Sequence, residues 1–191
     1  KLFSTQSVLP GCINAQNSHI GYSIVQEKLG DGSYTLYYFT NFDGGQIDDG
    51  ADTTLQPTRT AYEPYASREA ERGNLYKEEA YSSAGIMLQK KEIFYASLDK
   101  PNQYVRALKC KNVYLCRGST TSIEEGTAYK IYTYSYVPIQ EKISQYDQTG
   151  MAVAKTNKYF TYNTQYRMVI KDSTWDSKLQ NTQTYYSYPF N

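Results

Sequence analysis

Tyr104 to Cys116 alternates apolar and polar residues with the two-residue period of a strand, and Tyr132, Tyr134 and Tyr136 recur at every second position, as in strands whose side chains point to opposite faces. Tyr22-Ser-Ile-Val-Gln-Glu27 and Tyr34-Thr-Leu-Tyr-Tyr-Phe-Thr40 flank Gly30-Asp31-Gly32, and glycine with aspartate supplies the left-handed backbone of a tight turn. A hairpin is predicted there. Its second strand is apolar on both faces, which places it inside a sheet. Further strands are predicted at 75–81, 87–95, 104–116, 128–137, 139–147, 151–163, 166–172 and 179–188. Turns are predicted at 82–85, 147–150 and 173–177, with a turn-rich connection at 118–126 and Pro138 joining two strands. Strand follows strand through short connections, so the expected fold is all-β: antiparallel hairpins in a meander, forming one large curved sheet or a sandwich. One short helix is predicted at 67–73. Ser67 caps it, Arg68-Glu-Ala-Glu-Arg72 favours it and Gly73 closes it. On that turn Glu69 and Glu71 point apart, while Arg68 and Arg72 share a side from which they can bridge to neighbouring carboxylates.

The 191 residues suit a single domain, 1–191, with an N-terminal hairpin and loop over 21–62 and hairpin repeats over 74–190. Composition sharpens this picture. There are 22 tyrosines against 6 phenylalanines and 1 tryptophan, and hydrophobic residues reach only 40%. A chain short of Leu, Ile and Val must build its interior partly from tyrosine rings, whose hydroxyls need a partner or an exposed edge. Thin, two-sided sheets follow. Tyr129-Lys-Ile-Tyr-Thr-Tyr-Ser-Tyr136 is the densest such stretch, and on one continuous strand Tyr132, Tyr134 and Tyr136 share a face.

The formal charge of +1 supplies no basic field for a phosphate backbone, which argues against nucleic acid as a partner. No apolar run approaches the roughly 20 residues of a membrane helix, so no membrane span is expected. A start at Lys1 without methionine suggests that something upstream was removed, and export to the envelope or beyond is the expectation. Of three cysteines at least one is free within a monomer. Cys110 and Cys116 would lie about 20 Å apart on one straight strand, so a bond between them needs an intervening turn; three buried small hydrophobes is the alternative. Leu9-Pro-Gly-Cys12 has polar residues upstream and does not read as a lipid-attachment site.

A sole histidine, His19, excludes multi-histidine metal sites, and no nucleophile elbow, phosphate-cradling loop or dinucleotide fingerprint occurs. No catalytic residues are assigned, and a non-enzyme is expected. The segment 41–57 carries Asp43, Asp48, Asp49 and Asp52 and is the best calcium candidate, since hard cations take several oxygen ligands from a loop. Its spacing departs from the calcium-loop pattern, and a solvated acidic loop is the simpler reading, so no cofactor is assigned beyond that weak Ca2+.

A unit recurs in the last part of the chain: an apolar-led strand, a turn containing Gly or Asp, and a return strand ending in paired aromatics. It occurs at 75–95, 139–162 and 166–188, with the turns near Gly150 and Asp176 about 26 residues apart, a spacing typical of stacked repeats. Tyr159-Phe-Thr-Tyr162-Asn163, Tyr166-Arg-Met168 and the turns Gly73-Asn-Leu75 and Asp147-Gln-Thr-Gly150 resemble the YD-repeat family of bacterial Rhs-type proteins. The Gly21-Tyr22 hairpin and the segment from Tyr62-Glu-Pro-Tyr65 to Gly73 resemble what precedes such repeats. Asn163 stands where the usual aspartate would be, and the following glycine is absent. The resemblance implies a secreted or cell-envelope bacterial protein built from a long β-sheet, whose partners are other repeats, envelope proteins or a glycan. Two functions are therefore expected in competition. One is a structural or interaction segment; the other is a carbohydrate-binding module whose platform is Tyr132, Tyr134, Tyr136 and Trp175, since sugars stack on exposed rings.

Overall fold

The structure, a computed structural model, describes residues 21–49, 66–98, 103–114 and 122–189, and within 109–114 and 122–127 the backbone alone. Cys12, His19, Asp52 and Cys116 lie outside the described residues, as does the side chain of Cys110.

Among the described residues ten strands form: β1 (Ile24–Lys28), β2 (Tyr34–Phe39), β3 (Leu75–Tyr81), β4 (Met87–Ser97), β5 (Tyr104–Tyr114), β6 (Ser122–Tyr132), β7 (Tyr136–Tyr146), β8 (Ala152–Tyr162), β9 (Val169–Trp175) and β10 (Asn181–Tyr185). Eight of them make one antiparallel sheet in the order β1-β2-β3-β4-β7-β8-β9-β10, and β5 pairs with β6 as a separate hairpin inserted between neighbours β4 and β7. The fold is all-β, as the succession of strands and short connections predicts.

Cross-strand register sorts the sheet into two faces. Ile24, Tyr38, Lys77, Glu92, Lys142, Asn157, Trp175 and Asn181 stand in one transverse row, and the next row runs through Phe94, Gln140, Tyr159, Ser173 and Gln183. We call this the front. Tyr95, Tyr136, Tyr162, Asp172 and Tyr186 occupy the back. Neither face is covered by a second layer among the described residues. β1 and β10 are exposed at every position and β2 is half-buried at every position, so no dry side exists. The most buried side chains in the eight-stranded sheet are carboxylates, Glu79 on the front and Asp172 on the back. Tyr38 and Tyr81 donate their hydroxyls to Glu79 at 2.9 and 3.2 Å, and Tyr186 donates to Asp172 at 2.6 Å. Lys77 and Lys158 complete the two groups at 3.2 Å each. Buried carboxylates persist only when paired and hydrogen-bonded.

One device recurs where strand meets strand. Each of the five inner neighbour pairs carries one β-bulge: at Tyr76 against Phe39, Leu88 against Tyr81, Ile139 against Tyr95, Val153 against Tyr146 and Ile170 against Tyr162. An aromatic near the end of one strand thus faces an extra apolar residue near the start of the next. This is the physical content of the apolar-led strands seen in the sequence. A bulge interrupts the ladder, and tyrosine hydroxyls take up carbonyls beside it. Tyr95 donates to the Leu75 carbonyl at 3.0 Å, Tyr162 to Pro138 at 2.7 Å and Tyr188 to Val169 at 2.9 Å.

The hairpin turns share a plan in which an αL residue precedes the return strand. Gly32, Gly85 and Gly150 fill that position at φ +89, +77 and +83, but Leu179 fills it at +61 in the last hairpin. Asp147 and Asp176 each accept two backbone N–H groups of their own turn, from Thr149 and Met151 and from Lys178 and Gln180.

Several boundaries differ from those predicted. The last turn lies at Asp176–Gln180 rather than 173–177, because Asp176 is its acceptor and β9 runs on to Trp175. β6 begins at Ser122, inside the expected connection, and it ends at Tyr132, so Tyr132 and Tyr136 are not on one strand. Pro138 lies within β7, opposite the bulge partner Tyr95, where a missing N–H is tolerated. The helix at 67–73 is a single 3₁₀ turn, Glu69–Glu71. Ser67 does not cap it: its hydroxyl accepts from Arg72 at 3.2 Å, and the Gly73 N–H bonds the Thr40 carbonyl at 2.8 Å, drawing the chain into the sheet.

Candidate functional site

The predicted site residues fall in three places. Tyr132 and Tyr134 belong to a polar joint at the foot of the β5–β6 hairpin. There the Leu98 N–H bonds the Ser135 carbonyl at 3.1 Å, and the Thr133 N–H bonds Gln103 at 3.0 Å. Asp49 and Ala66 exchange both backbone bonds beside it, and Arg68 lies at the centre. Its guanidinium reaches Asp49 at 3.3 Å and Glu71 at 3.1 Å, and stands 4.9 Å from the centre of the Tyr132 ring. Tyr132 donates its hydroxyl to Asp49 and Tyr134 donates to Glu71. Arg72 pairs with Asp48 and packs 4.2 Å from the Phe42 ring. Both arginines of the 3₁₀ turn therefore bridge to carboxylates.

Electrostatics at the joint follow from this geometry. Partial burial and the bond to Asp49 push the Tyr132 phenol up to about 12, and burial with Glu71 pushes Tyr134 up as well. Burial raises Asp49, but the bonds from Tyr132 and Arg68 outweigh it and hold its carboxyl below the usual range. Tyr134 is only 7% exposed, so it offers no ring to a ligand. The joint holds a hairpin in place.

Tyr136 sits elsewhere, on the back, half-buried and stacked on Tyr95 with ring centres 5.7 Å apart. Trp175 lies on the front and is exposed. The four rings do not form one platform. A different set shares the front with Trp175: Tyr159 and Tyr185 on the neighbouring strands and Phe94 three strands away, all exposed. Sequence alternation contains that set, but the strand order needed to assemble it does not follow from alternation, because β4 and β7 become neighbours across an inserted hairpin. Amides of Gln140, Asn157, Asn181 and Gln183 lie between the rings, and Lys142 and Lys171 stand 4.7 and 5.4 Å from the Phe94 and Tyr185 ring centres.

Of the acidic loop, Asp48 and Asp49 are committed to the arginines, and Asp48 also accepts the Arg68 N–H at 2.9 Å. Asp43 lines an open cleft of about 410 Å³ with Gln46 and Tyr76. Among the described residues no group of three or more His, Cys, Asp or Glu could hold a metal ion, and no helix is long and apolar enough to cross a membrane.

No protein-family profile matches the chain, and no curated protein or solved structure matches it.

Proposed function

We propose that this protein is a non-catalytic, exported β-repeat segment of YD-repeat type, with a structural and interaction role at the bacterial cell envelope. The observation that carries this reading is the repeated junction of tyrosine against apolar bulge. It joins strand to strand without a core, so the sheet grows sideways by adding hairpins. The two end strands each pair on one side only among the described residues, which leaves rows of N–H and C=O groups for a neighbouring repeat or envelope protein. Brief protease treatment of intact source cells, followed by peptide mapping, tests the location. Release of peptides from this chain is expected, and finding it only inside unbroken cells would refute the assignment.

A second reading is favoured by the front face. Tyr159, Trp175 and Tyr185 on adjacent strands, and Phe94 beyond β7 on β4, present rings on one side of the sheet with amides on the same face, the arrangement that stacks on and hydrogen-bonds to a sugar polymer. A polysaccharide array read by Trp175 fluorescence tests it. Binding lost in Trp175→Ala and in Tyr159→Ala, and retained in Tyr136→Phe, would establish the platform. No binding across the array leaves the structural role alone.

A further inference from the structure

Charge divides between the two faces of β7, β8, β9 and β10. Those four strands hold two carboxylates, Glu141 and Asp172. Both stand on the back, where Glu141 takes Lys91 at 2.9 Å and Asp172 takes Lys158 at 3.2 Å. The front of the same strands carries Lys142, Lys155 and Lys171. In register, Lys142 faces Glu92 of β4, Lys155 faces Ser144, and Lys171 lies between Thr161 and Tyr185. Glu92 itself holds Lys90 at 2.9 Å. The net charge of +1 hides this segregation, because lysine and carboxylate cancel in the sum while standing on opposite sides of the sheet.

The three lysines are interleaved with the rings of that face. Lys142 and Lys171 lie over the outer rings, Phe94 and Tyr185, at 4.7 and 5.4 Å, while the exposed Tyr159 and Trp175 occupy β8 and β9 in the middle. Along the strands, Lys155 and Lys171 stand three transverse rows apart, about 20 Å at roughly 3.3 Å per residue, with the Trp175 row and the Tyr159 row between them. Rings and amides suit any sugar polymer; ammonium groups set around them suit one that carries carboxylates. We propose that the front of β7–β10 binds an acidic polysaccharide of uronic-acid type, its sugar rings stacked on Trp175 and Tyr159 and its carboxylates held by Lys142, Lys155 and Lys171. The inference rests on the platform reading above and names the class of polymer. Asn157, Asn181 and Gln183 stand in the same rows and meet sugar hydroxyls, which favours a glycan over a lipid surface. Three lysines so widely spread match sparse carboxylates rather than duplex phosphates, which follow one another at about 3.4 Å along a strand. Exposed ion pairs are individually weak, so affinity here comes from several in register and is screened by salt.

Comparing each acidic polymer with its own neutral ester isolates the carboxylate. Polygalacturonate, alginate and hyaluronan are titrated into the purified full chain beside their methyl esters, with Trp175, the only tryptophan, as fluorescent reporter. At least one acid form should bind about tenfold tighter than its ester at low salt, and the gap should close as salt rises from about 0.02 to about 0.5 M. Lys142→Gln, Lys155→Gln and Lys171→Gln combined should abolish that gap and leave binding of the ester unchanged, with the circular dichroism of the parent. Should the triple variant unfold, Lys155→Gln alone, away from the two lysine-ring contacts, should take about twofold from the acid form only. Equal binding of acid and ester overturns the inference and leaves the platform standing. A gap that the lysine variants do not alter also overturns it, because the carboxylates are then held elsewhere on the chain. No binding of any form removes the platform and the inference together. Tighter binding of duplex DNA or of phosphatidylglycerol vesicles than of every acidic glycan overturns it in favour of a general anion surface.

Discussion

Changing Tyr162 to Phe removes one oxygen and leaves the ring, so it isolates the hydroxyl tie from the burial of the aromatic. The hydroxyl donates to the Pro138 carbonyl at 2.7 Å, and that carbonyl stands beside the Ile139 bulge, where the ladder is interrupted. Losing a neutral hydrogen bond of this kind costs about 1 kcal/mol net. A carbonyl left bare in a dry interior would add about 1–3 kcal/mol, but here one layer of side chains lets water reach it, and the lower figure applies. The expected change is therefore about 1 kcal/mol, a roughly fivefold rise in the opening equilibrium of the β7–β8 hairpin. Amide hydrogen exchange is the right assay, because a sheet stabilised by neighbours alone opens hairpin by hairpin and a single global midpoint would blur the effect. Tyr95→Phe should match it, since its bond to Leu75 is 3.0 Å, and Tyr188→Phe should do less at an end already frayed. Tyr159→Phe serves as the reference, being an exposed ring on the front. If Tyr162→Phe and Tyr95→Phe exchange like Tyr159→Phe, the hydroxyls do not stitch the junctions and the account of the repeat fails.

Leu179 holds a left-handed backbone at φ +61 in the position that Gly32, Gly85 and Gly150 fill elsewhere. Leu179→Gly should stabilise the β9–β10 hairpin by about 1 kcal/mol, read as slower exchange there, and Gly150→Ala should cost a similar amount. Arg68→Met leaves Asp49 and Glu71 without their shared cation; exchange at the foot of the β5–β6 hairpin should rise by the equivalent of about 1–2 kcal/mol, modest because the group is partly exposed. In alkali, the Tyr81 and Tyr132 phenols are held up to about 12, against about 10 in the unfolded chain. Their contribution is whole below about pH 10 and is lost as pH rises towards 12, because the unfolded state releases those protons first. Phenolate absorbance should then show a slow or late class of tyrosines that ionises together with loss of strand circular dichroism, and free titration of all 22 at once would contradict the bonding described.

The fold class was legible because it rests on a local rule. Strand-forming runs and turn chemistry act over a few residues, and both hold in the hairpins β1–β2, β3–β4, β7–β8 and β9–β10. Scarcity of aliphatics also pointed correctly to a sheet with two working faces. Tyr132, Tyr134 and Tyr136 show where local reading stops. Their spacing is that of one strand face, but a break at 133–135 separates β6 from β7, and long-range partners decided it: Asp49 and Glu71, 83 and 63 residues away, take the first two hydroxyls. The acidic loop shows the same limit. Asp48 and Asp49 look like free oxygens in the sequence, and Arg68 and Arg72 claim them from 19 and 24 residues on. The front-face rings were individually visible, but their assembly depends on β4 and β7 becoming neighbours.

Placing carboxylates at the most covered positions of the sheet has a consequence for how it can be extended. A two-layered sheet commits one face to its core, and adding a strand requires matching apolar cover. Here Glu79 and Asp172 are satisfied within the layer, by tyrosine hydroxyls and lysines on the same or adjacent strands. Burial raises Glu79, yet the bonds from Tyr38, Lys77 and Tyr81 hold its carboxyl below the usual range, and the Tyr186 hydroxyl leads the same effect at Asp172. The polar groups are thus closed within the layer, in part across hairpin boundaries, as Tyr38 to Glu79 and Lys158 to Asp172, and each inner strand pair adds only one extra residue against an aromatic. The bulges fall both inside hairpins, in β3–β4 and β7–β8, and between them, in β2–β3, β4–β7 and β8–β9, while β1–β2 and β9–β10 at the two ends carry none: every inner pair meets through the same one-residue step, whether or not a tight turn joins it.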